Sequence, residues 1–139
     1  MTGELIFDFC TILAIIGWLA LVLAPVMREY CINFARGIVL VLAVAYIGQL
    51  IWTIEPTGGD FSSLAGITLL FTKAGNVMLG WTHFLAFDLF IGSWEAEDAA
   101  ANGVPHWLVI PCLGLTFMFG PIGLLLYFII RTLKIRFFA

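Results

Sequence analysis

The sequence predicts an all-α integral membrane protein, a four-helix bundle with a short interfacial or re-entrant helix between helices two and three. Composition is the first reason. Of 139 residues, 63% are hydrophobic and only 11% charged, with a mean hydropathy of +1.11, whereas soluble domains average about 25% charged residues. A soluble chain of this size cannot hide so much apolar side chain, because much of its surface stays exposed. Charge spacing is the second reason. The few ionisable residues cut the chain into apolar stretches close to the roughly 20 residues that a bilayer core requires. The length fits a single transmembrane domain, residues 1–139.

Between Asp8 and Arg28 lie 19 uncharged residues, 9–27, the first expected span. Pro25 near its end is tolerated there and loosens the last turn. The N-terminus lacks a basic segment and a clean small-residue cleavage site, so this run is expected to be a retained helix and not a signal peptide. The second span is the 18 uncharged residues 37–54 between Arg36 and Glu55, with Trp52 at an interface. The short connection from Arg28 to Arg36 makes the two antiparallel neighbours. Glu55-Pro56-Thr57-Gly58-Gly59-Asp60 is a loop signal. Phe61 to Thr72 is apolar but too short to cross, which fits a short interfacial or re-entrant helix.

The third span covers 74–94, with helix continuing through Ala101 because alanine and glutamate favour it. Asn102-Gly103-Val104-Pro105 then ends the helix, with Gly as the cap and Pro beyond. The fourth span, 107–130, contains Pro111 and Pro121, and Gly120-Pro121-Ile122-Gly123 is expected to kink it or admit a close neighbour. Four crossings place both termini on one side, with Lys73, Arg131, Lys134 and Arg136. Arg28 and Arg36 then occupy the other side, and cation counting leans towards cytoplasmic termini.

The third helix carries the chemistry. A central Asp costs about 2.5–3.5 kcal/mol on insertion scales, and such residues face a bundle interior or a wet cavity. With His83 set at zero and 100° per residue, Asn76, Lys73, Asp98, Glu95 and Asp88 fall within an arc of about 140°. Phe84, Phe87 and Ile91 share that arc, a mixed aromatic and polar wall. His83, Asp88 and Glu95 are the candidate catalytic residues, an imidazole and carboxylates able to act as acid and base in low dielectric. Trp81, Phe84, Phe87, Trp94, Asp98, Arg28 and Arg36 are the candidate substrate-binding residues. The same groups would also serve a proton or cation path.

Plainer roles stand beside these. His83 would hydrogen-bond a neighbouring helix, and Asp88 would pair with an arginine or a backbone donor. Glu95, Glu97 and Asp98 would form a solvated helix end, Arg28 and Arg36 solvated loop charge, and His106 an interfacial residue. The aromatic residues would pack the bundle. No metal site is assigned, because the i,i+5 separation turns His83 and Asp88 too far apart to chelate alone. Cys10, Cys31 and Cys112 lack metal-ligand spacing and read as small apolar residues. No basic run points to nucleic acid. The expected partners are the lipid bilayer, an apolar ligand and a second copy, since a homodimer would frame a lipid-facing groove. The sequence leaves any cofactor unknown.

Gly80-Trp81-Thr82-His83-Phe84-Leu85-Ala86-Phe87-Asp88-Leu89-Phe90 resembles the W-x-H-x-L-x-x-D-L-F signature of the abscisic acid-deficient 4 family of small membrane proteins. Residues 111–125, ending Phe119-Gly120-Pro121-Ile122-Gly123-Leu124-Leu125, resemble its second signature, F-G-P-x-G-L-L. The continuation Gly92-Ser93-Trp94-Glu95 looks like that of bacterial members, and so implies a bacterial inner membrane. Plant members are plastid proteins needed to convert violaxanthin to neoxanthin, which opens an epoxide to an allenic alcohol without net redox change. The resemblance therefore implies an isomerase acting on, or a protein binding, a carotenoid-like isoprenoid. His83 and Asp88 match the motif and are the acid and base candidates. Plant members tend to carry a basic residue after that continuation, and the departure at Glu95 points to a related carotenoid or isoprenoid instead of violaxanthin. The competing expectation is a non-catalytic membrane subunit or a small proton- or ion-coupled transporter.

Overall fold

The computed structural model describes residues 2–138, which form six helices. They are α1 (Thr2–Val22), α2 (Arg28–Trp52), α3 (Leu64–Leu70), α4 (Ala74–Ala101), α5 (His106–Phe119) and α6 (Pro121–Phe138). No strand occurs among the described residues. Among the described residues, two helices are long and apolar enough to cross a membrane, Gly3–Val22 within α1 and Arg28–Trp52. The helices run past the charges that were expected to bound them. Glu4 and Asp8 lie inside α1, while Arg28, Glu29 and Arg36 lie in the first turns of α2. A charged side chain ends an apolar run without ending backbone hydrogen bonding.

At 28 residues, α4 is about 42 Å long at 1.5 Å per residue, and the other long helices pack around it. α1 runs parallel to it and α2 antiparallel. Cys10, Ala14, Leu21, Leu42 and Leu89 are fully buried along this seam. Gly92 lets α1 come close, because a Cβ there would stand 2.5 Å from the Trp18 ring. A buried polar chain links the three helices: the Thr82 hydroxyl donates to Gln49 Oε1 at 3.0 Å, and Gln49 Nε2 donates to Cys10 Sγ at 3.7 Å.

The end of α4 follows the sequence expectation. Gly103 takes φ +66°, and the N–H groups of Gly103 and Val104 bond to the carbonyls of Ala100 and Ala99. This is the paired closure of a Schellman cap, in which a left-handed glycine turns the chain.

The last third of the chain departs from expectation. Residues 107–130 form parts of two helices, not one kinked span. Gly120 adopts φ 48°, ψ −93°, and Pro121 brings no N–H to continue the ladder. α6 therefore folds back along α5. The approach is close, since a Cβ on Gly123 would lie 2.1 Å from the Thr116 backbone nitrogen and 2.6 Å from the Cys112 carbonyl oxygen. Val109, Cys112, Leu113 and Tyr127 are buried where this hairpin covers the C-terminal half of α4. Its return brings the end of α6 to the end of the molecule that holds the α1–α2 turn, opposite the start of α1. The expectation that the termini share a side is corrected accordingly.

At the N-terminal end, α3 confirms a short helix between α2 and α4. The Ser63 hydroxyl caps it by accepting from Gly66 N at 3.0 Å. Asp60 in the preceding loop accepts from the hydroxyl and then the backbone N–H of Ser62, which holds its carboxyl below the ordinary aspartate range. Asn76 is buried and pins this segment to α4. Its Nδ2 donates to the carbonyls of Glu55 and Leu70 at 3.0 and 2.8 Å, and its Oδ1 accepts from Glu55 N at 3.1 Å. Asn76→Ala strands three backbone groups, each costing about 1–3 kcal/mol if left unsatisfied. Residues 55–73 are expected to become sensitive to limited proteolysis while α1, α2 and α4 stay intact.

Candidate functional site

The tip of the α5–α6 hairpin stops halfway along α4, at Asp88. A Cβ built on Gly120 would stand 3.0 Å from Asp88 Oδ1, so the carboxyl group and the turn are in van der Waals contact. The first turn of α6 begins there too, and the positive end of its dipole lies beside the carboxyl group. Between this tip, α1 and α4 is a cavity of about 440 Å³. Trp18, Trp81, Phe84 and Phe117 supply aromatic walls, and Gly120 and Pro121 close one end. Asp88 is the one ionisable residue among those lining it. Trp81 is fixed by its indole N–H, which donates to Thr11 Oγ1 at 3.0 Å, and by stacking on Phe7 at 5.6 Å. Trp18 meets Phe117 edge-on at 5.6 Å.

His83 takes no part in this cavity. Its ring stacks on Phe87 at 4.6 Å and lies 6.2 Å from the Tyr46 ring on α2. The helical rotation between positions 83 and 88 explains the separation: one side chain turns to α2, the other to the hairpin tip. Phe87 goes with His83. Of the four aromatic residues named from the sequence, Trp81 and Phe84 line the cavity. Trp94 instead packs against Tyr127 and Phe128 of α6, both at 5.6 Å.

Glu95 is fully buried under the hairpin and is not a solvated helix end. Its Oε1 accepts from Thr116 Oγ1 at 2.9 Å, and its Oε2 is buried with no partner. Asp98, one turn on, clasps α6. Arg131 Nε and Nη2 donate to it at 2.6 and 3.3 Å, and the Tyr127 hydroxyl donates to the same carboxylate. Arg36 neutralises neither Asp88 nor Glu95. It forms a two-pronged pair with Glu97, Nη1 to Oε1 at 3.1 Å and Nη2 to Oε2, and reaches Ser93 Oγ at 3.3 Å. Arg28 is exposed at the start of α2, and His106 Nε2 hydrogen-bonds to the Val22 carbonyl at 3.2 Å. The expected single polar wall is thus divided: Asp88 at the cavity, Glu95 and Asp98 beneath the hairpin, Asn76 at the loop, and His83 towards α2.

Sequence reasoning missed Trp18, Phe117 and the role of Gly120 as part of the cavity wall. Their signal was present in Phe119-Gly120-Pro121, which breaks a helix as readily as it kinks one. It also missed Gln49, a lone amide in an otherwise apolar run. Among the described residues, no group of three or more His, Cys, Asp and Glu side chains could hold a metal ion.

Compared with known proteins, the chain matches over residues 5–127 a family model described as ABA DEFICIENT 4-like. No curated protein and no solved structure matches it.

Proposed function

The chain belongs to the ABA DEFICIENT 4-like family, and from that premise we propose that it is a membrane-embedded protein that binds a carotenoid-like isoprenoid in the Asp88 cavity and isomerises it. The observation that carries this reading is an aromatic cavity of about 440 Å³ with a single carboxyl group on its wall. Ligand sites span about 300–1,000 Å³ and combine apolar walls with few polar groups. Tryptophan and phenylalanine faces suit a conjugated chain, since offset and edge-on ring contacts are favourable. In this reading α1, α2 and α4 cross the bilayer of a bacterial inner membrane, and the α5–α6 hairpin enters only halfway.

Opening an epoxide or moving a double bond requires a proton at one atom and removal of one from another. Asp88 is the group on the cavity wall that can make such a transfer. His83 supports the same stretch of α4 through its stacking on Phe87. The competing reading, a non-catalytic subunit or a proton-coupled transporter, draws on the unpartnered Oε2 of Glu95. That residue is absent from the lining of the Asp88 cavity.

Mass spectrometry of lipids that copurify with the protein is expected to reveal an isoprenoid. A positioned acid–base group contributes about 10²–10⁴-fold, so Asp88→Asn should lower conversion of that isoprenoid at least about 100-fold at unchanged expression. An unaltered pigment profile in this variant would remove the catalytic reading.

A further inference from the structure

The hairpin covers only one half of α4, and the other half is left open beside the cavity. On the covered half Glu95 is fully buried and Ala99 is 2% exposed, whereas Trp81 and Phe84 on the open half are 40% and 63% exposed. Met118 and Phe119 at the hairpin tip line the same opening, at 64% and 57% exposure. From Asp88 to Ala74 the helix rises about 21 Å at 1.5 Å per residue. The result is a half-column with aromatic residues along α4, the hairpin tip as its roof, and Asp88 where roof and wall meet.

We propose that this half-column holds the chain of a long apolar molecule whose terminal hydroxyl donates to Asp88, with the chain extended along Phe84 towards the Asn76 end of α4. This deepens the proposed function and rests on it for the isoprenoid character of the ligand. The placement follows from chemistry on both sides. Asp88 is the one ionisable group on the cavity wall, and a hydroxyl is a neutral donor that satisfies it without importing charge into an apolar site. The chain has one direction to run, because α5 and α6 occupy the column beyond Gly120.

The test uses the full-length protein in phospholipid nanodiscs, with all-trans-retinol as the probe and energy transfer from tryptophan as the readout. Saturable transfer is expected. Asp88→Asn, Asp88→Leu and Phe84→Ala should each weaken binding about tenfold or more. Phe128→Ala, an equally aromatic change beside the covered half, should leave it unchanged. Retinyl acetate, which keeps the polyene but lacks the O–H, should bind the wild type about tenfold more weakly than retinol. Asp88→Asn preserves side-chain shape, so it reports even where the leucine variant fails to fold. Equal binding of retinol and its acetate, or equal losses at Phe84 and Phe128, would overturn the placement. Displacement of retinol by oleyl alcohol at similar concentration would assign the column to straight-chain lipids and overturn the isoprenoid assignment. Failure here leaves Asp88-dependent conversion of a copurified isoprenoid intact. Unchanged conversion in Asp88→Asn, or no conversion by wild-type protein that binds retinol, would instead strike the proposed reaction.

Discussion

Gly123→Ala is expected to be the most damaging single-methyl change in the chain. A Cβ at this position would lie 2.1 Å from the backbone nitrogen of Thr116, 2.2 Å from its hydroxyl and 2.6 Å from the Cys112 carbonyl oxygen. Two of these are backbone atoms of a packed helix, with no rotamer to escape into. Overpacking costs about 1–3 kcal/mol even where side chains can give, and here α6 must lift off α5. Lifting it would loosen the hold of Tyr127 and Arg131 on Asp98 and move the hairpin turn away from Asp88. Size-exclusion thermal-stability assays of detergent-solubilised protein should show a loss of about 3 kcal/mol or more, at the top of that range. Gly114→Ala is the control. A Cβ there meets nothing within 4 Å, and alanine gains about 1 kcal/mol of helix propensity over glycine. If both variants melt alike, the close α5–α6 packing is wrong.

The second large effect is one of sidedness. The hairpin return places Arg131, Lys134 and Arg136 at the end of the molecule that already holds Arg28 and Arg36, leaving Lys73 alone at the other end. Five of six cations on one side is a strong bias, and such excess marks the cytoplasmic face in short-looped membrane proteins. Alkaline phosphatase inserted between residues 57 and 60 should therefore be active and the same enzyme fused at the C-terminus inactive. A fluorescent protein fused at the C-terminus should be bright. Four full crossings would place both insertion points on one side. Matching activity at the two positions would therefore exclude a hairpin that returns.

Helix content, the short helix before α4 and the glycine cap at 103 all depend on local chemistry, and each was readable. The Arg36–Glu97 pair, which ties the start of α2 to the end of α4, joins residues 61 positions apart and has no local signal. The fourth span was not readable, because a glycine-proline pair reads the same whether the chain bends or reverses. What decides is Gly123, whose bare backbone admits the returning helix, and that contact is made with a residue seven positions earlier. The candidate site shows the same limit. A helical wheel placed Asp88 and His83 on one broad arc, but it could not show that the hairpin covers only part of that arc. Glu95 was misread for the same reason: near a charged helix end it looks solvated, and only the neighbour laid over it makes it buried.

The clasp of Asp98 by Tyr127 and Arg131 has a consequence for biogenesis. A span that crosses must carry its trailing charges through the bilayer or strand them on the far side. In the proposed topology, a hairpin that enters and leaves by the same face moves none: Arg131, Lys134 and Arg136 would stay on the side where they are made. The last third of the chain can thus be laid in after α1, α2 and α4 are in place, with Asp98 waiting as its latch. A chain truncated after Gly103 should still insert as three helices, with Glu95 exposed and the Asp88 cavity missing its roof.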